Sequence, residues 1–325
     1  MTPADQHPVQ TLKPDRLLHE LSELWVSLSK QESGKDEGSG VLRACAMTLV
    51  VFVDDEADSM ALGELLARLM RSHPSRAIVV RLREDPGVLE SRVFTQCWMP
   101  FGHQREICCE QIEITVSLDR VVDIPSIVAP MAAPDVPRVV WFRSSRIDGV
   151  PGLASIFELG DKMIVDSARP GSPAFADLRV LANAGYIVGD LAWARVTKLR
   201  QLLAQLLDGR DSVHYVSIEY SGGEAVPEAK YLQAWLRTAL PKATVDLRRL
   251  DPTGKPKLTG IRIDPDIHVR VETNCAEYET GSLRQRANLS ECTEGDLLNE
   301  ELNIMTHDRI FERVLQRMTA WTPRS

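Results

Sequence analysis

ACAMTLVVFV, Ala44–Val53, is an unbroken apolar run. A strand with one wet face alternates polar and apolar residues, whereas a run of this kind reads as a central strand covered on both faces. MALGELLARLMRS follows, with Leu62, Leu65, Leu66 and Leu69 at helical spacing. Then come SRAIVVRLR, RVFTQCWMPF and REICCEQIEITVS, three strand-like segments separated by turn residues. Strand, helix and strand in succession predict a βαβ crossover, here extended by further strands.

The same order returns after Asp211. SVHYVSIEYS reads as a strand, EAKYLQAWLRTAL as a helix, and ATVDLRRL, KLTGIRID and HVRVETNCAEYE as three further strands. Between the halves lie PRVVWFR and DKMIVDS, a plausible parallel pair, with a short helical LASIFEL. The expected fold is therefore α/β, with two similarly built mixed-sheet domains, each a βαβ crossover extended by antiparallel strands. Helices flank both ends. Asp15 is placed to cap a helix through Lys30 that carries Leu17, Leu18, Leu21, Leu24, Trp25 and Leu28 on one face. A last helix, Asp296–Trp321, carries Leu297, Ile304, Phe311, Leu315 and Met318. The domain reading is residues 1–40 as an arm, helix and glycine-rich linker, 41–169 as an N-terminal α/β domain, and 170–325 as a C-terminal helical and α/β domain.

DLAWARVTKLRQLLAQLLD, Asp190–Asp208, reads as one helix with Asp190 as N-cap. Leu191, Ala192, Val196, Leu199, Leu202, Leu203 and Leu206 form its apolar stripe, together with Val188 just upstream. Arg195 falls inside that stripe. A guanidinium stays charged at cellular pH, so its burial demands a carboxylate, carbonyls or an anionic ligand. Asp166 or Asp135 is the expected partner.

The 325 residues are 44% hydrophobic and 26% charged, with a formal net charge of −8. This composition suits a globular chain with room for two cores. Scattered basic residues on an acidic chain argue against nucleic acid as a partner. No apolar run approaches the roughly 20 residues needed to span a bilayer. The opening MTPADQHPVQ has neither a basic start nor an apolar stretch, so the expectation is a cytoplasmic protein with no membrane partner. Six cysteines include no CxxC pair and no His/Cys cluster at zinc spacing, so neither metal nor cofactor is expected. Cys108 and Cys109 are adjacent in a strand, facing opposite sides. One buried thiol and one facing away is the expectation there. Phosphate-binding glycine loops, GxSxG and HExxH are all missing.

Several polar positions carry two readings. His73, Ser75 and Arg76 in HPSR suit a helix end and strand entry, or an anion site. Asp135 lies in a proline-flanked turn, where aspartate bonds backbone amides more often than it catalyses. Asp166 and Ser167 sit at the expected carboxyl edge of the sheet, where open α/β sheets bind ligands and where Asp166 can equally pair with Arg195. Trp193 and Arg200 flank the leucine stripe, and with Trp25 they are the candidate protein-contact residues.

MTLVVFV (Met47–Val53), HPSRAI (His73–Ile78), APDVPRVVWF (Ala133–Phe142), DKMIVDS (Asp161–Ser167) and DLAWARVTKLRQLLAQ (Asp190–Gln205), in this order, resemble the OpcA family, the glucose-6-phosphate dehydrogenase assembly proteins of cyanobacteria and actinobacteria. Trp141 stands alone where members often have a tryptophan pair, and Leu199 replaces a common second tryptophan. The resemblance implies a non-catalytic protein that binds glucose-6-phosphate dehydrogenase and favours its active oligomer, in support of the oxidative pentose phosphate pathway. The rival reading is a sugar-phosphate-binding enzyme or pseudoenzyme. It would gather His73, Arg76, Asp166, Ser167 and Arg195 at the carboxyl edge of the sheet.

Overall fold

The computed structural model describes residues 12–32, 41–54, 59–98, 106–146, 153–210, 212–289 and 292–318. Internal contacts divide the chain into two compact units, Met1–Val165 and Asp166–Ser325. The arm at residues 1–11, the linker at 33–40 and the stretch containing Trp321 lie outside the described residues.

Unit 1 begins with α1 (Pro14–Glu32), β1 (Val41–Arg43), β2 (Met47–Asp54), α2 (Ser59–Ser72), β3 (Ser75–Arg83), β4 (Leu89–Trp98) and β5 (Glu106–Ser117). After a 3-10 turn it continues with α3 (Ile124–Met131), β6 (Arg138–Phe142), α4 (Leu153–Phe157) and β7 (Lys162–Val165). Its strands run in the order β1-β5-β3-β2-β6-β7, with β4 also paired to β5. As expected, β2 lies centrally between parallel β3 and β6, and Met47–Val53 are all buried. The β6–β7 pair is parallel too. Antiparallel β4 takes one edge of β5, so β3 and the short β1 must share the other. Leu17 and Leu21 are buried as α1 packs against α3, β4 and β1. Asp15 is not the cap, because Pro14 already occupies the first helical position.

Cys108 and Cys109 face opposite sides, but both are buried, and Cys108 is not a thiol. It stands directly opposite Cys97 in the β4–β5 ladder and forms a disulfide with it. Cys109 faces the other way as a free, buried cysteine. The pairing was hidden because it follows from strand register, not from CxxC spacing.

Unit 2 contains α5 (Phe175–Asn183), β8 (Ile187–Asp190), α6 (Leu191–Arg195), α7 (Thr197–Leu207), β9 (Tyr215–Ser221), α8 (Pro227–Ala239) and β10 (Thr244–Asp251). It ends with β11 (Lys257–Ile263), β12 (Ile267–Val271), β13 (Cys275–Thr280), β14 (Leu283–Asn288), α9 (Glu294–Asn303) and α10 (Arg309–Arg317). The order β10-β9-β11-β12-β13-β14 joins a parallel β9–β10 pair across α8 to an antiparallel meander. The crossover therefore recurs in both units. HVRVETNCAEYE forms two strands, not one, because the chain turns at Thr273–Asn274.

Val216, Ile218, Val245, Ile261, Ile263 and Val269 are buried on the face that α8 covers. The intervening positions Ser217, Glu219, Arg248, Arg262, His268, Arg270, Glu277 and Glu279 share the opposite face by register. The period-2 pattern of these strands thus records a sheet with a single apolar side.

Two expected long helices are broken. The Asp190–Asp208 helix divides at Val196 (φ −94°, ψ 5°), whose N–H reaches back three residues to the Trp193 carbonyl. The leucine stripe survives the break, with Leu191, Val196, Leu199, Leu202 and Leu203 buried and Leu206 half-buried. The last helix divides into α9 and α10, because Asp308 caps a new start by accepting from the N–H groups of Ile310 and Phe311. Among the described residues no helix is long and apolar enough to cross a membrane.

Candidate functional site

Unit 2 places Arg195 at the end of α6, where its terminal nitrogens meet two carboxylates. Nη1 donates to Glu228 Oε1 at 2.8 Å and to Asp166 Oδ1 at 3.2 Å; Nη2 donates to Asp166 Oδ2 at 2.6 Å. Asp166 is the expected partner. Glu228, in the first turn of α8, was not foreseen. Burial opposes the Arg195 charge, but the two carboxylates more than offset it and raise its pKa. Asp166 also accepts from the Ala168 N–H at 3.2 Å, so it both caps the turn and neutralises the arginine. A groove of about 450 Å³ opens beside this cluster, walled mainly by Val196, Leu199, Val226, Pro227 and Leu258.

Asp190 lies directly behind. Its Oδ1 accepts from the Ala192 N–H (2.9 Å), which makes it the N-cap that the sequence indicates, and from the Ser167 N–H (3.0 Å). Tyr231 donates its hydroxyl to Oδ2 at 2.6 Å. Complete burial pushes the Asp190 carboxyl up to about 6 despite these donors, and burial beside Asp190 pushes Tyr231 well above the ordinary tyrosine range.

Trp193 is 3% exposed, which corrects its reading as a surface contact residue. Its ring packs on Tyr231 and Phe311, with centroids 5.7 and 5.6 Å away, and its indole N–H reaches Asp308 Oδ2 at 3.3 Å. Arg200 stacks on that ring, with its guanidinium carbon 3.4 Å from the centroid. Its Nη2 donates to Thr197 Oγ1, and its Nε is buried without a hydrogen-bond partner. Burial lowers the Arg200 pKa to about 10, against the pull of Asp308, Glu300 and Glu301. Helical periodicity placed Trp193 beside the stripe; α8 and α10 then covered it.

In unit 1, Arg76 is also committed. It donates to Glu110 Oε2 at 2.5 Å and to the Met131 carbonyl at 2.6 Å, and it is almost wholly buried. Glu110 accepts in turn from the Trp25 indole N–H at 2.6 Å and pairs with Arg43 at 2.7 Å. Trp25 is therefore a half-buried anchor of α1, beneath the Arg43 guanidinium. His73 is buried at the end of α2. Asp135 sits exposed in its turn with φ 58°, a left-handed conformation that aspartate tolerates, and Arg195 is satisfied without it.

The residues of the sugar-phosphate reading do not form one site. His73 and Arg76 precede and open β3, whereas Asp166 follows the last residue of β7. Because β3, β2, β6 and β7 are mutually parallel, strand starts and strand ends lie on opposite edges of the sheet. Arg76 and Arg195 are moreover already neutralised by carboxylates. Glu110, Glu228 and Tyr231 went unmarked because each acts through a residue 33 or more positions away. Register brings Glu110 to Arg76 across β5 and β3, whereas the packing of α8 brings Glu228 to Arg195 and Tyr231 to Asp190.

Residues 67–183 match the family described as the glucose-6-phosphate dehydrogenase subunit N-terminal domain, and residues 186–315 match its C-terminal domain. An OxPP cycle protein OpcA from Synechocystis sp. (strain ATCC 27184 / PCC 6803 / Kazusa) is 26% identical over 180 residues, 52% of this chain and 38% of that protein. One from Nostoc punctiforme is 24% identical over 168 residues, 48% of this chain and 35% of that one. The matched segment thus spans little more than a third of either relative. Among solved structures, biliverdin reductase from Synechocystis sp. PCC 6803 is similar at a TM-score of 0.45 and 11% identity, covering 83% of this chain and 96% of that one. The 3-ketoreductase KijD10 from Actinomadura kijaniata is similar at 0.46 and 9%, covering 83% and 94%. Those two likenesses carry no argument about activity. The two domain matches, adjacent and in order along one chain, do decide membership: the chain belongs to the OpcA family of glucose-6-phosphate dehydrogenase subunits.

Proposed function

We propose that this chain is a non-catalytic assembly factor that binds glucose-6-phosphate dehydrogenase and favours its active oligomer. The observation that carries the reading is the pair of subunit-domain matches at residues 67–183 and 186–315. Activation of this kind requires tighter binding to the active oligomer than to the inactive form, since equal affinity shifts nothing. Trp25 and Trp193 serve the contact indirectly, by fixing the exposed side of α1 and by holding Arg200. Arg200 is the contact residue of the three.

The test is co-purification with the dehydrogenase of the same organism, followed by sedimentation and rate measurements with and without this chain. A complex, a shift towards the larger oligomer and a higher rate support the proposal. Absence of both complex and rate change overturns it. Arg200→Ala, checked for an unchanged melting temperature, then tests the flank. A loss of affinity of about tenfold places Arg200 in the interface, and unchanged affinity removes it.

A further inference from the structure

We propose that the outer face of α10 steers this chain onto the dehydrogenase, and that it fits a row of carboxylates on that partner. The inference rests on the dehydrogenase reading and adds to it the chemistry of the contact. Arg309, Arg313 and Arg317 follow one another at i, i+4 and i+8, so helical geometry sets them within about 80° of arc. All three are exposed, and they span about 12 Å along the helix axis. Phe311, Val314 and Leu315 are buried on the opposite side, where α10 packs on α8 and α5.

Nothing inside the unit answers this stripe. Among the described residues no carboxylate pairs with Arg309, Arg313 or Arg317, and the one polar contact of the three is Arg317 Nη1, 3.5 Å from the Arg237 carbonyl. The acids beside them are committed. Asp308 caps the helix and accepts from the Trp193 indole, and Glu312 pairs with His307. Locally the arrangement is unfavourable. Arg309 opens the helix, where a cation works against the dipole, and arginines at i, i+4 repel. Solubility does not call for them on a chain whose formal net charge is −8. A local cost that the fold leaves uncompensated is expected at a functional surface.

The surroundings point to a protein partner. Ile310, 57% exposed, borders the stripe. Val180, 64% exposed, lies on α5, whose Asn183 side-chain oxygen accepts from Gln316 of α10 at 2.6 Å. Arginines set among exposed aliphatic side chains suit a protein contact. A lipid-binding helix must present its apolar face, and that face of α10 is buried. Nucleic acid calls for a wider basic excess than this acidic chain provides. Arg200, the contact residue of the dehydrogenase reading, adjoins the start of the stripe: it stacks on Trp193, whose indole reaches Asp308, the residue before Arg309. The contact thus runs from Arg200 along α10, and the matching surface carries two or three carboxylates about 6 Å apart.

The association rate of the full chain with the dehydrogenase of the same organism, measured across a salt series, tests the assignment. Combining Arg309→Glu, Arg313→Glu and Arg317→Glu should slow association about tenfold or more at low salt and flatten its salt dependence, with dissociation changed less. The three positions are exposed, so the melting temperature should hold. Should this variant melt early, the glutamine triple, which only removes charge, reads the same loss at smaller amplitude. The lysine triple keeps the charge and should associate at close to the wild-type rate. Wild-type rate and salt dependence in the glutamate triple overturn the inference and leave the dehydrogenase reading standing. No complex with the wild-type chain overturns both. A lysine triple as slow as the glutamate one overturns the charge basis. Phosphatidylserine vesicles that bind the wild type and not the glutamate triple, with dehydrogenase association unchanged, overturn it in favour of a lipid surface.

Discussion

Glu110 on β5 and Glu219 on β9 are both buried, and their sheets enclose them in opposite ways. On β5 of unit 1, the Glu110 side chain is 3% exposed and its partner Arg76 only 7%. On β9 of unit 2, the Glu219 side chain is equally buried, yet Arg262 and Arg248 are 49% and 60% exposed. The difference follows from what covers each sheet. Unit 1 has α1 and α3 packed over the Glu110 side, so both members of the pair are enclosed. In unit 2 the α8 face is apolar and the other face keeps its arginines in water. A buried carboxylate is therefore not one kind of object. What it contributes depends on whether its counter-charge is also desolvated.

Removing Glu110 should have the largest effect. Glu110→Ala leaves Arg76 buried without its carboxylate and releases Trp25 and Arg43, so denaturant unfolding should register a loss of about 3–5 kcal/mol. A loss under about 1 kcal/mol, as for a surface pair, would abolish the contrast.

Asp190 provides the intermediate case, a carboxylate buried against a tyrosine hydroxyl and backbone amides with no cationic partner among the described residues. Its folded pKa of about 6 lies above the ordinary aspartate value, because burial favours the neutral acid. The folded state therefore holds this proton more tightly than the unfolded chain. The stability it adds is full below about pH 4 and is lost as pH rises through about 6. Asp190→Asn keeps the cap and removes the titration. The stability of the wild type relative to this variant should fall by on the order of 2–3 kcal/mol between pH 4 and 7. A pH-independent difference would show that Asp190 is not raised.

The smallest effect is expected at Glu219. Arg262→Ala leaves Arg248 and His268 beside the carboxylate, so the loss should stay within about 1 kcal/mol and shrink further at high salt. A loss above about 2 kcal/mol would place Glu219 in the same class as Glu110 and merge the two regions.

Much of this was legible in one dimension. The unbroken run at Met47–Val53 announced a strand buried on both sides, and β2 is one. Asp190 was readable as a cap, and the position of Arg195 inside a leucine stripe required a carboxylate, which Asp166 supplies. The candidate contact residues were less legible. Periodicity reports the angle at which Trp193 leaves its helix, not that Tyr231 and Phe311 close over it. Neither the helix break at Val196 nor the Cys97–Cys108 bridge carried a local signal of the kind that proline or CxxC gives.

By itself, then, the sequence determined the α/β class, the crossover in each half, the caps, and the need of Arg195 for a negative partner. Those are short-range consequences of hydrophobic periodicity and of the cost of isolating a charge. The tertiary structure alone decided which carboxylates answer which arginines, and that Trp25 and Trp193 anchor and do not protrude. Each of those depends on strand register and on which helix covers which face. They are set by the packing of the whole unit, and residues 29 or more positions apart meet only there.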